Sequence, residues 1–149
     1  MNSSHLPEIL TNLLTGQRLA VLSTQMSGQP YSNLIAFVAV PDMKEILFAT
    51  DRATRKFANL TAEPRVSLLV DDRRHLETDF QEASAVTVLG TAAELLEPER
   101  QRYLQLYLQK HPHLREFVTG PTCALIRVTV AKYILVTRFQ EVQEIVPAA

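Results

Sequence analysis

The stretch RLAVLSTQMSGQPYSNLIAFVAVPDMKEILFAT, residues 18–50, decides the fold. Residues 18–24 read as a strand. Ser27-Gly28-Gln29-Pro30 then supplies turn chemistry, since Gly tolerates left-handed backbone and Pro fixes its own φ. A second strand is predicted over residues 31–40, Pro41-Asp42 marks another turn, and residues 45–50 form a third strand. Connections this short join antiparallel strands, because a parallel crossover needs a dozen or more residues. The apolar run over residues 34–40 does not alternate, which predicts cover on both faces.

Outside this block the periodicity changes. Upstream, Leu6, Ile9, Leu10, Leu13 and Leu14 share one helical stripe that stops at Gly16. Downstream, residues 52–61 read as a helix with Asp51 as its N-cap and Phe57 and Leu60 facing inward. Glu63-Pro64 ends it, because the residue before proline avoids helical backbone. Val66, Leu68 and Val70 alternate along a fourth strand, residues 65–71. A charged loop over residues 72–82 leads to a long fifth strand over 83–96, where Gly90 predicts a bulge. Pro98 opens a helix running to about Lys110, with Tyr103, Leu104, Tyr107 and Leu108 as its apolar side. After a short helical turn, residues 123–137 and 139–145 complete the sheet. The expected architecture is one domain spanning residues 1–149: mainly β (α+β), an antiparallel six- to seven-stranded barrel with peripheral helices.

Bulk properties narrow the function. A net charge of −1 gives no global field to recruit nucleic acid or an anionic membrane, so any anion site is local. No apolar run is long enough to span a bilayer as a helix, and residues 1–8 do not read as a signal peptide. A single cysteine, Cys123, forms no internal disulfide and no multi-cysteine metal site, which points to a reducing cytoplasm. Cys123 reads as a buried structural thiol. His5, His75, His111 and His113 are scattered, and the last two read as part of a polar loop. No metal site is expected.

Chemistry concentrates in Ala49-Thr50-Asp51-Arg52-Ala53-Thr54-Arg55-Lys56. A strand end meets a helix start there, and the first helical turn carries unpaired N–H groups and a positive dipole end. Thr50 and Thr54 add hydroxyls, and Arg55 and Lys56 add charge, so the segment suits a phosphate without a glycine-rich loop. The same pattern also describes a solvated helix start with two exposed cations.

From Phe48 to Leu95 the chain resembles the pyridoxamine 5′-phosphate oxidase family. The matching text is Thr50, Arg55-Lys56, Asn59-Leu60 and Pro64-Arg65-Val66-Ser67-Leu68-Leu69, followed by Val86-Thr87-Val88-Leu89-Gly90-Thr91-Ala92. Residues 125–133 also fit members that lack the oxidase tail. The resemblance implies a split β-barrel homodimer holding FMN in a cleft between subunits. Arg55 and Lys56 would grip the phosphate, with Thr50 in support. The strand Ser32, Asn33, Leu34, Ile35, Ala36 would lie along the isoalloxazine and ribityl chain, largely through backbone groups, with Ser32 and Asn33 adding side-chain hydrogen bonds.

Three departures qualify the implied activity. Ala85 stands where the family carries a glutamine that reaches the flavin. The C-terminal tryptophan-and-arginine motif for substrate phosphate is missing, and the chain has no Trp. The loop over residues 71–82 is also longer than in the oxidase proper; its Asp71-Asp72-Arg73-Arg74 reads as a solvated loop, with Arg73 or Arg74 reaching a ligand in the partner's cleft as the alternative. The expectation is an FMN-dependent oxidoreductase acting on a small molecule other than vitamin B6, with no catalytic acid or base singled out. A non-catalytic FMN-binding or storage module is the alternative, as is a deazaflavin- or haem-binding relative.

Overall fold

A computed structural model describes residues 6–138 and 140–147. His5 and Phe139, the predicted first residue of the last strand, lie outside the described residues. The first hairpin joins β1 (Leu19–Met26) to β2 (Gln29–Ala39) through Ser27 and Gly28 alone. Both have positive φ, 51° and 82°, as a two-residue hairpin turn of matching twist requires. β2 therefore starts two residues earlier than its sequence suggests, and Pro30 lies inside it.

β3 (Glu45–Asp51), β4 (Arg65–Asp71), β5 (Ala85–Glu94) and β6 (Cys123–Thr137) complete a closed six-stranded antiparallel barrel. The order is β3-β2-β1-β4-β5-β6, closed by β3 on β6, and β7 (Glu141–Ile145) extends the sheet beyond β6. The first half of β6 pairs with β3 and its second half with β7. The long alternation of residues 123–137 thus serves two neighbours in succession along one edge.

Alternation also divides the core. Leu22, Ile35, Phe37, Phe48, Leu68, Val88 and Ile126 point into the barrel. Leu10, Leu13 and Leu14 of α1 (Glu8–Gly16) and Leu60 of α2 (Arg55–Ala62) pack onto that interior cluster. On the outer wall, Val38, Leu47, Ala49 and Leu125 form a second core with Leu104, Tyr107 and Leu108 of α4 (Glu99–Lys110). β3 is accordingly covered on both faces. The prediction of two-sided cover over residues 34–40 holds from Ile35 onward but fails at Leu34, which is 64% exposed. α4 reaches only the second half of β2.

Gly90 marks the predicted bulge: the β5–β6 register shifts between Leu89 and Gly90. The loop after β4 contains a short helix, α3 (Asp79–Glu82), that periodicity did not reveal.

Lys110 ties α4 to α1. Its ammonium donates to Leu14 O at 3.2 Å and lies 4.0 Å from the Phe37 ring centre. Burial, and secondarily the charge of Arg18, push its pKa down to about 8. The unfolded chain keeps that proton to higher pH, so this group adds stability as pH rises from about 8 to its ordinary 10.5. Lys110→Met is expected to flatten that part of the pH dependence. Thermal midpoints of both proteins across the window test it, and parallel curves would remove the assignment.

Candidate functional site

β2 and β3 run together for only a short distance. Phe37, Val38 and Ala39 pair with Phe48, Leu47 and Ile46, whereas β2 is paired with β1 over its whole first half. Two backbone bonds fix which way each residue points. Phe37 N–H donates to Arg18 O on the β1 side, and Val40 N–H donates to Glu45 O on the β3 side. By the alternation of an antiparallel ladder, the backbone groups of Ser32, Leu34 and Ala36 face the β3 side. Pro30 shares that parity, so the residue without an N–H sits where no ladder partner exists.

Ala36 O already accepts from the Tyr107 hydroxyl at 3.1 Å, and Pro30 O accepts from the Gln29 side chain. Between these closed positions, Ser32 and Leu34 present backbone N–H and C=O groups along an open edge. Their side chains, with that of Ala36, lie on the outer face of the barrel. Asn33 and Ile35 have the opposite parity and point inward. Ile35 is core, and Asn33 Oδ1 is buried without a hydrogen-bond partner. Asn33 therefore leaves an unmet acceptor on the inner side of the strand. Ser32 Oγ lies 3.3 Å from Ser23 Oγ across the ladder.

The start of α2 sits beside this edge. Thr50, at the buried end of β3, shares a 3.0 Å hydrogen bond with the Thr54 hydroxyl. Thr54, rather than Asp51, caps α2: its hydroxyl accepts from Phe57 N–H at 3.3 Å. Asp51 turns back instead, accepting from Ala53 N–H at 2.8 Å and from the Thr122 hydroxyl at 2.7 Å. Those two bonds, the backbone one first, hold its carboxyl below the usual range. The Arg55 guanidinium lies 5.6 Å from the Tyr31 ring centre, which links the helix start to β2. Tyr31 was missed by sequence reasoning, since nothing local relates it to a residue 24 positions away.

Lys56 is partly buried, and that burial pulls its pKa down. Among the described residues neither Arg55 nor Lys56 makes an ion pair, whereas nearby Arg52 is paired with Glu94 and also donates to Pro121 O. The segment therefore keeps two cations without counter-ions next to free helical N–H groups.

The structure brings Arg55, at the start of α2, against Tyr31, the residue before Ser32 on β2, and joins Thr50 to Thr54 at the same helix start. One chain does not enclose the set. An open groove of about 510 Å³ on the outer wall includes Leu34, and another of about 560 Å³ over Ser23, Thr24 and Ser67 includes none of the predicted residues. His111, expected in a polar loop, is buried, with Nε2 2.7 Å from Phe37 O. Burial lowers its pKa, and the neutral ring donates to that carbonyl. Cys123 is a buried thiol whose pKa burial raises, in keeping with a structural role. Ala85 is paired with Asp71 and Val136 at the start of β5.

A closed six-stranded antiparallel barrel whose second and third strands pair over only three residues defines the class of fold. The pyridoxamine 5′-phosphate oxidase family model matches residues 6–137, and the chain belongs to that family. A pyridoxamine 5′-phosphate oxidase homolog of Schizosaccharomyces pombe is 31% identical over 100 residues, covering 60% of this chain and 53% of the relative. The chain thus spans about half the length of that curated relative. Among solved structures, a heme binding protein from Mycobacterium smegmatis superposes with a TM-score of 0.81 at 12% identity, covering 96% of this chain and 60% of the other. A FAD-binding protein from Mesorhizobium loti gives 0.68 at 19% identity, covering 87% and 92%. At such identities these structures share the fold, and their different ligands show that the barrel does not dictate what it holds.

Proposed function

We propose that the chain binds FMN, with the phosphate at the start of α2 and the rest of the cofactor along the open edge of β2, in a cleft completed by a second copy. It would act as a flavin-dependent oxidoreductase on a small molecule other than vitamin B6. The carrying observation is that Arg55 and Lys56, both without ion-pair partners among the described residues, open a helix whose Arg55 meets Tyr31, the residue before the unpaired edge of Ser32 and Leu34. A phosphate would supply the missing counter-charge, and alternate backbone donors and acceptors would orient a heteroaromatic ring by its polar edge.

Bound flavin would supply the electron-transfer chemistry. The chain's part is to hold the phosphate through Arg55, Lys56 and Thr50, to orient the ring along Ser32–Ala36, and to exclude water. One copy cannot do the last. Leu19, Val21, Leu34 and Leu69 form adjoining apolar positions across β2, β1 and β4, and Leu19 and Leu34 are more than half exposed. A contiguous apolar patch on a barrel wall is the kind of surface a partner covers. A second copy facing it would close the cleft with this patch as one wall. A cytoplasmic location belongs to the same reading; among the described residues no helix is long and apolar enough to cross a membrane.

The test is to load purified protein with excess FMN, desalt it, and record both the absorption spectrum and the sedimentation mass. Retained flavin bands on a dimer are expected. A colourless protein overturns the flavin assignment, a Soret band after haem loading redirects it to haem, and a monomer with flavin bound overturns the shared cleft.

A further inference from the structure

The outer-wall groove of about 510 Å³ has a chemical character of its own. Its floor is apolar: Leu19, Val21, Leu34 and Leu69. Its lip carries Arg18, Arg73 and Asp71. Asp71 pairs with Arg73 through Nε at 3.0 Å, which leaves the terminal guanidinium nitrogens of Arg73 without a protein partner among the described residues. Arg18 makes no ion pair among them either. The lip thus sets two guanidinium groups against one carboxylate. Arg18 also adds its charge to the field at Lys110 and His111, so the positive end extends toward α4.

The wall bearing Arg73 is built rather than loose. Asp79 Oδ2 collects the N–H groups of Arg74, His75 and Leu76 at 2.8, 2.6 and 3.3 Å, and Asp72 Oδ1 accepts from Ser84 N–H at 2.7 Å. His75, which also lines the groove, is held at φ 62° by this arrangement. These residues belong to the loop between β4 and β5.

The position of the groove gives it a use. Leu34 belongs both to the groove floor and to the open edge of β2, and Leu19 lies opposite Ala36 in the β1–β2 ladder. Tyr31, which meets Arg55, is three residues back from Leu34 along the strand, roughly 10 Å at ~3.3 Å per residue. The cationic helix start and the groove therefore lie along the same half of one strand.

We infer that this groove is the substrate subsite of the cleft, and that it takes a small molecule with a flat apolar body and a carboxylate, the body on Leu19, Leu34 and Leu69 and the carboxylate on Arg73 and Arg18. The substrate role rests on the flavin reading above. A carboxylate fits better than a phosphate dianion, since Asp71 already neutralises one of the two cations, and guanidinium groups engage carboxylates in paired hydrogen bonds.

FMN-loaded protein is titrated with benzoate and, separately, with its neutral isostere benzamide. Ligand binding is followed by NMR of the ligand, and flavin absorbance is recorded in parallel. Benzoate is expected to bind at least about tenfold more tightly than benzamide and to shift the flavin bands. Arg73→Ala and Arg18→Ala should each weaken it by about tenfold, as loss of one charge-assisted contact predicts. Arg102→Ala, on α4 and outside the groove, should leave it unchanged. Retained FMN with no benzoate binding, with equal affinity for benzamide, or with full affinity in both arginine variants overturns the groove assignment and leaves the flavin reading intact. Loss of FMN on desalting overturns the flavin reading, and the substrate role falls with it whatever benzoate does.

Discussion

Replacing Arg55 and Lys56 together by alanine is expected to weaken FMN binding at least a hundredfold, while riboflavin, which lacks the phosphate, loses no more than about twofold. A hydrogen bond to a charged group is worth about 1.5–3 kcal/mol, and about 1.4 kcal/mol is a factor of ten, so two such contacts at the low end already give that loss. Arg55 is exposed and Lys56 partly buried, so the larger share should come from Lys56. Its ammonium is held in a site that disfavours its charge, and a phosphate would relieve that penalty as well as adding an attraction. The ratio of the two affinities is the informative quantity. An equal loss for both ligands would mean that the substitutions disturb the start of α2, and no loss for either would place the phosphate elsewhere.

Gly90→Ala should lower stability by about 3 kcal/mol, near the top of the usual range for forcing atoms into a filled space. A Cβ there would come within 2.5 Å of Thr129 O and 2.7 Å of Val128 Cγ1. The first is backbone of the neighbouring strand and cannot turn aside. For a chain of this size that corresponds to a fall in thermal midpoint of roughly 6–12 °C. Gly16→Ala is the matched control, since nothing lies within 4 Å of a Cβ at that position. Thermal unfolding of both variants decides the matter: equal midpoints would mean that β5 and β6 can separate at the bulge without cost, contrary to the close approach described.

Much of this architecture could be read from pattern because the responsible interactions are local. β4 and β6 match their predicted ranges, since one face of each meets the barrel core and alternation records that directly. The phosphate segment was legible for the same reason, as hydroxyls and cations at a helix start are neighbours in sequence. Where two short polar residues competed, pattern failed. Asp51 and Thr54 are both good caps, and the choice was made by Thr122, which draws Asp51 away from the helix. His111 was misread because its partner, Phe37 O, lies 74 residues away. The open edge was equally invisible: the residues of β2 look alike on either side of Phe37, and only the point at which β3 departs separates the free backbone from the paired.

That departure has a mechanical consequence. β3 is stitched to β6 from Glu45 to Asp51 but to β2 only at Ile46, Leu47 and Phe48. It therefore travels with β6, and the seam between β2 and β3, like that between β1 and β4, is held by only three residue pairs. The strand proposed to carry the cofactor belongs to the hairpin between these two short seams, where the walls can breathe apart while the longer ladders stay closed. Protection of backbone amides from exchange should accordingly fall along β2 from Ala39 toward Ser32 and rise again once a ligand bridges the seam.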